Sequence, residues 1–280
     1  MIESFADSWP LFHTSYLAGW TLAFVLALVG IWLVARDQIF LGVAVAQAST
    51  LGVAAALWAG GLGAAGAMLR GDWATSALAV LASVATALFT VLRRSGAESS
   101  EAITGWVFLA AASAPTLLLA RDPHGLEKVH QLLFSTLIGA TTADLVVLGA
   151  LAAATAALAA RFHGPLRLLA LDPEAADAVG LRSRLWHAAL AVWLGLAVGL
   201  SIRISGTLYT FGCLVLPALA AKHFVREVRT LLFAAPALGV AAAVVGSVLA
   251  NHADTPPAHT TVAVLCLAVA ATWLAPARRR

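Results

Sequence analysis

Nine stretches of this chain run for sixteen residues or more without a charged side chain: 8–35, 38–69, 73–92, 102–120, 145–160, 185–202, 204–221, 230–253 and 255–277. A helical span needs about 20 apolar residues, at ~1.5 Å rise, to cross ~30 Å of hydrocarbon. Most of the runs meet that length. Charged types are only 11% of the 280 residues and hydrophobic types 61%, where a soluble globular chain carries roughly 25% charge. So little charge does not cover a folded body in water. The same apolar content excludes a disordered chain, and two cysteines, Cys213 and Cys266, make no disulfide framework. The expected fold is all-α: one polytopic transmembrane bundle over residues 1–280, of about nine spans (eight to ten).

Two segments need separate treatment. The run 129–143 has fifteen residues and reaches roughly 22 Å as a helix, so it is expected to be a partial or re-entrant element buried against other helices. The run 38–69 exceeds one span, and Gly60-Gly61-Leu62-Gly63 is expected to end its helix. No cleavable signal peptide is evident, because the first twelve residues hold Glu3 and Asp7 and no basic residue.

Orientation follows from the basic residues. With nine alternating spans and the C-terminus in the cytoplasm, that side holds Arg36, Arg93, Arg94, Arg161, Arg167, Arg182, Arg184, Lys222, Arg226, Arg229, Arg278, Arg279 and Arg280. The opposite side keeps Arg70, Arg121, Lys128 and Arg203. The expectation is therefore N-terminus outside, C-terminus inside. The net charge of +3 reflects this sidedness and gives no argument for nucleic acid.

The longest polar segment is the cytoplasmic loop 161–184. Within it Asp172 suits an N-cap, Pro173 a first helical position and Glu174 the positive end of a helix dipole. Gly180 is a natural stop. Two readings stand: an ordinary capped loop helix, or a lever that docks into another protein.

The segment PLRLLALDPEAADAVG (165–180), with Glu174-Ala175-Ala176 followed by Gly180, resembles the cytoplasmic coupling loop of importer permeases. RISGTLYTFGCLVLPALAAK (203–222), through Gly206 and Leu216-Pro217-Ala218, and DTPPAHTTVAV (254–264) are similar to the zinc, manganese and iron permeases of ATP-binding-cassette (ABC) importers. Ser100 to Gly105 and Leu133 to Gly139 are weaker matches. The likeness covers nearly the whole chain in order. It implies a permease subunit of the bacterial inner membrane, not itself an enzyme and with no permanently bound cofactor. It also implies cytoplasmic ABC ATPase subunits, a second permease copy and an extracytoplasmic metal-binding protein as partners. The chain contains no Walker A pattern, so the nucleotide chemistry is expected from a separate subunit. The implied coupling residues are Asp172, Pro173, Glu174, Ala175, Ala176, Asp177 and Gly180, and the implied cargo is a divalent metal, zinc first with manganese or iron behind it.

The chain departs from that family at the start of the second span. Where the family usually carries an Asp and, four residues on, a His, the stretch FLGVAVAQASTLG (40–52) has Val43 and Gln47. A neutral amide is a weak zinc ligand, so Gln47 either lines the pathway or bridges helices. His124, Glu127 and His130 are spaced three apart and, if helical, form a loose stripe of imidazole and carboxylate suited to a transient metal site. Surface loop histidines are the competing reading. His259, opening the last span after Pro256-Pro257 with His252 and Asp254 nearby, either faces the bundle interior or bonds at the interface. Glu101 and Asp144 are expected to cap helices, and Cys213 and Cys266 to be packing residues.

The competing function is a secondary carrier or channel for a cation, without an ATPase partner. Such proteins place ionisable residues at the midplane, and the runs hold no mid-span Asp, Glu, Lys or Arg. A membrane metalloprotease would need a motif such as His-Glu-x-x-His, which is absent.

Overall fold

The computed structural model describes residues 2–61, 72–93, 99–120, 127, 137, 139–171, 173–225 and 227–274. The described residues form nine helices: α1 (Ile2–Ala35), α2 (Ile39–Gly60), α3 (Asp72–Leu92), α4 (Ser100–Leu119), α5 (Thr142–Leu171), α6 (Pro173–Ala178), α7 (Ser183–Phe224), α8 (Val228–Ala253) and α9 (Pro257–Leu274). Every one except α6 is long and apolar enough to cross a bilayer. The expected re-entrant element at 129–143 falls mostly outside the described residues.

Helix boundaries follow local chemistry. Ser99 caps α4 by accepting the Ala102 N–H at 3.1 Å, and Glu101 lies in that first turn. Asp144 does more than sit near a dipole. Its carboxylate accepts from the Thr141 N–H and hydroxyl (2.9 and 2.7 Å), while the Thr141 hydroxyl accepts from the Asp144 N–H. This is a reciprocal box that closes the start of α5. As expected, α2 stops at the first of the clustered glycines, with Gly61 as its C-cap.

Two expectations on boundaries are corrected. The run 161–171 is not loop: α5 continues helically through it, bent where Phe162 leaves helical geometry (φ −113°, ψ 16°) just before Pro165. Proline lacks the N–H that would bond the carbonyl four residues back, and its ring crowds that carbonyl, so the helix bends without ending. Likewise Arg203 does not separate two helices. The helical run passes through it, and the break falls at Gly206 (φ 72°, ψ 173°). At 42 residues this run measures roughly 63 Å, about twice the hydrocarbon thickness. Its halves, 183–205 and 207–224, measure roughly 34 and 27 Å, so each can serve as one crossing.

The first helix also bends. Phe5 and Tyr16 have ring centroids 4.9 Å apart, and Trp9 and Trp20 5.9 Å. Eleven residues of straight helix rise about 16.5 Å, so α1 is not straight between Phe5 and Trp20, the stretch that holds Pro10.

The chain divides into two compact units: Met1–Asp37, Thr136–Arg167 and Leu208–Arg280 in one, Gln38–Ser135 and Leu168–Thr207 in the other. In the first, Gly30 of α1 lies against the backbone of Leu214, and Gly246 of α8 against Thr261 of α9. Polar contacts join the same helices: the Tyr209 hydroxyl donates to the Gly19 carbonyl at 2.8 Å, and the Trp20 indole N–H to the Ser247 hydroxyl at 3.2 Å. In the second, Gly52 of α2 meets Leu78 of α3, while Gly195 and Gly199 of α7 meet Val84 and Val80. Ser83 ties that seam by donating to the Gly195 carbonyl at 2.7 Å. In lipid there is little hydrophobic drive between helices, so close backbone approach at small residues plus such hydrogen bonds holds each unit together.

Candidate functional site

The segment around the short helix α6 is built from the inside out. Helix α6 spans six residues. Its end is a left-handed turn at Gly180 (φ 86°), where the Gly180 N–H donates to the Asp177 carbonyl and the Leu181 N–H to the Ala176 carbonyl, both at 3.0 Å. A residue with a Cβ is strained at that φ, so glycine is needed there. Ala176 is fully buried and anchors the helix, whereas Glu174 and Asp177 are exposed. Pro173 is the first helical residue and Ala175 is half-buried. Asp172, expected as the N-cap, lies outside the described residues.

Asp177 reaches forward. Its carboxylate accepts from the Ser183 N–H at 2.9 Å and the Ser183 hydroxyl at 2.7 Å, closing α6 onto the first residue of α7. The backbone hydrogen bond from Ser183, then the one from its hydroxyl, hold the Asp177 carboxyl below the usual carboxylate range. Sequence spacing alone offered no reason to pair these two residues.

The second feature lies within the α2–α3–α7 unit. Along α2 from Phe40 to Ala55, the residues that are not buried are Phe40, Val43, Gln47, Leu51 and Ala55, at the three- and four-residue spacing of one helix face. Gln47 is the polar group on it. One turn on, Thr50 is buried, and its hydroxyl lies 3.0 Å from that of Thr207. The Thr50 hydroxyl also lies 3.2 Å from the Ala46 carbonyl, and either hydroxyl of the Thr50–Thr207 pair can be its donor. Thr207 directly follows the Gly206 break, beside buried Ser201 and Ser205. A broken helix takes the carbonyls before the break and the N–H groups after it out of the regular ladder. Thr50 and Thr207 were not singled out from the sequence, although two hydroxyl residues flanking a glycine in an apolar run were visible there.

The other expected metal residues are scattered. His259 is half-buried in the first turn of α9. Before it, Asp254 adopts a left-handed conformation (φ 52°) that caps α8 by donating its N–H to the Ala250 carbonyl, and His252 is exposed. Glu127 is exposed and helical, and His124 and His130 lie outside the described residues. Among the described residues no three His, Cys, Asp or Glu side chains gather as a metal site would require. Cys213 is buried and Cys266 exposed.

Comparison with known proteins adds a lineage to this geometry. A family model described as the ABC 3 transport family matches residues 8–275. The manganese import system permease protein ScaB of Streptococcus parasanguinis is 22% identical over 88% of this chain and 85% of its own length. The chelated iron transport system membrane protein YfeD of Yersinia pestis is 24% identical over 96% and 86%. Among solved structures, PsaBC from Streptococcus pneumoniae in complex with Fab superposes with a TM-score of 0.82 at 19% identity, covering 100% of this chain and 98% of that one; at that identity the likeness concerns the fold.

Proposed function

The chain belongs to the ABC 3 transport family, and we propose from that premise that it is the membrane-spanning subunit of an ATP-driven metal importer working by alternating access. Membership makes it a multi-pass inner-membrane permease of the metal-import class and a transport subunit, not an enzyme. Separate ATPase subunits burn the nucleotide, an extracytoplasmic binding protein delivers the metal, and a second permease copy completes the pathway. The observation that carries the reading is α6: a short helix that exposes Glu174 and Asp177, stopped at Gly180 and clamped to α7 through Asp177 and Ser183. A lever must be rigid and joined to a span if partner motion is to reach the membrane, and this one is both.

Residues 172–180 are the contact for the ATPase, with Glu174 exposed. For the cargo, the sequence-based expectation puts zinc first, whereas the names of the relatives support manganese and iron ahead of it. His259, Glu127, His124 and His130 remain proposed stations for the metal on its way to the bundle, and Gln47 lies on the pathway within it.

The test is ATP-dependent uptake of radioactive manganese, iron and zinc by vesicles holding the complete importer. Glu174→Arg with Gly180→Trp should abolish uptake and uncouple ATPase activity while the receptor still holds metal. Uptake that persists without any ATPase subunit would instead favour the carrier or channel reading.

A further inference from the structure

We propose that the bend of α5 is a binding site for an anionic phospholipid. Arg161 and Arg167 hold its phosphate, and its acyl chains lie along the exposed face of the helix through Ala157 and Leu158. Such a site requires only that α5 spans the membrane, whatever the chain carries.

Length sets the depth of the two arginines. Helix α5 starts at Thr142, where the polar box of Thr141 and Asp144 suits one boundary of the bilayer. From there to Arg161 a helix rises about 30 Å, the thickness of the hydrocarbon core. Arg161 therefore arrives at the level of the phosphates in the opposite leaflet. The helix bends at the next residue, Phe162. The six residues from Arg161 to Arg167 span about 9 Å at most, so both side chains reach one headgroup layer.

The protein itself does not neutralise this pair. Among the described residues neither arginine is in an ion pair. Arg161 is exposed, and its guanidinium lies over the Phe162 ring, 5.3 Å from the centroid, which holds it at the bend. Arg167 is half-buried, and its Nε is closed off from solvent with no hydrogen-bond partner. A hidden donor without an acceptor, on a cationic group, costs free energy. A phosphate on the accessible side of the guanidinium offsets that cost by its charge and by paired N–H···O bonds.

The neighbouring surface suits tails as well as a head. Exposed residues recur along α5 at Val146, Ala150, Ala153, Ala157, Arg161 and Gly164, the spacing of one helix face. Val146 is 72% and Leu158 36% exposed. A Cβ at Gly164 would meet nothing within 4 Å, so the space beside Arg161 is open. A free anion would use the arginines and leave the apolar face bare. An acidic protein segment would do the same. A lipid with an anionic phosphate and apolar chains matches both halves of the surface.

The experiment places the purified full chain, with the subunits that copurify, in phosphatidylcholine vesicles. These carry a trace of photoactivatable phosphatidylglycerol or, separately, photoactivatable phosphatidylcholine, each with the reactive group close to the glycerol. Adducts are mapped by mass spectrometry. Phosphatidylglycerol should label residues 157–167 about threefold more than phosphatidylcholine does. Arg161→Gln with Arg167→Gln should remove that excess, whereas Arg161→Lys with Arg167→Lys should keep most of it, which separates loss of charge from loss of fold. Arg229→Gln, at another exposed cation, should leave it unchanged. Equal labelling by the two lipids in the unaltered protein overturns the site. An excess that Arg229→Gln lowers as much as the double glutamine variant also overturns it, because that is diffuse surface charge. Loss of the excess on adding millimolar inorganic phosphate assigns the arginines to a free anion and overturns the lipid. Absence of any adduct in 157–167 from either lipid means that a second copy or another subunit covers the face, and overturns it too.

Discussion

Asp177 and Gly206 are the two residues whose surroundings make the sharpest demands. The Asp177 carboxylate is exposed yet committed, because both of its oxygens are taken by Ser183. Its folded-state pKa is lowered from an unfolded value of about 3.9. A depressed carboxylate contributes stability that is fully present above the unfolded value and is lost as pH falls through the folded one. The clamp should therefore be constant from neutrality down to about pH 5 and loosen below about pH 4. Amide exchange at Ser183 is the readout, once corrected for its intrinsic pH dependence. Protection that falls by the same factor in Asp177→Ala as in the unaltered chain would mean the carboxylate is not the clamp. Gly206 presents the opposite case, a position where a side chain is excluded by the backbone. At φ 72° and ψ 173° only glycine is comfortable, and Gly206→Ala is expected to destabilise by about 1–3 kcal/mol. A lowered thermal midpoint in detergent is the expected result, and an unchanged one would show that the break relaxes freely.

At the scale of elements, α7 poses the main question, because its 42 residues are twice what one crossing needs. If its halves cross separately, residues at the break face the outer compartment and both ends face the cytoplasm. Single cysteines at Arg203 and at Phe224, in a chain with Cys213 and Cys266 replaced, give the test. The Arg203 position should react with an impermeant maleimide added outside intact cells, and the Phe224 position only after permeabilisation. Equal protection of both would return α7 to one long tilted crossing. The packing of α7 on α3 makes a second prediction at this scale. Gly199 lies against Val80 and Ser83, so Gly199→Leu should force that seam apart and destabilise by roughly 1–3 kcal/mol, as overpacking does, visible as a lower denaturation midpoint. Some of this was open to sequence reasoning, since Gly206 interrupts an otherwise uniform apolar run. The bend in α5 was legible only in part: Pro165 was visible, but a charged stretch containing Arg161 and Arg167 looked like loop because charge, not backbone pairing, drew the boundary.

On the scale of the whole molecule, the positive-inside bias predicts the N-terminus outside and the C-terminus in the cytoplasm. A phosphatase fused after residue 280 should be inactive if it requires export, and an active fusion would invert the topology. The chain passes between its two units at four places; one holds Asp37 in the left-handed region (φ 51°), and another follows Gly206 at the α7 break. A third follows closely on the bend at Phe162. Connections that leave regular geometry absorb changes in φ and ψ at least expense to the helices on either side. On this basis Gly206→Ala should slow ATP-driven uptake more than it weakens capture of metal-loaded receptor, a split measurable by comparing transport with receptor binding.

The sequence by itself determined that this chain is a bundle of membrane helices, roughly where most of them begin and end, and that a short capped helix interrupts the spans near residue 175. Transfer from water to hydrocarbon is nearly additive over neighbouring residues, and caps and turns depend on three or four of them, so both are written locally. Only the tertiary structure decided that Asp177 closes onto Ser183, that Thr50 meets Thr207, and that the break in α7 falls at Gly206 and not at Arg203. Those outcomes depend on backbone geometry and on which distant small residues let two helices approach, and a reading of one segment at a time has no access to the partner that fixes them.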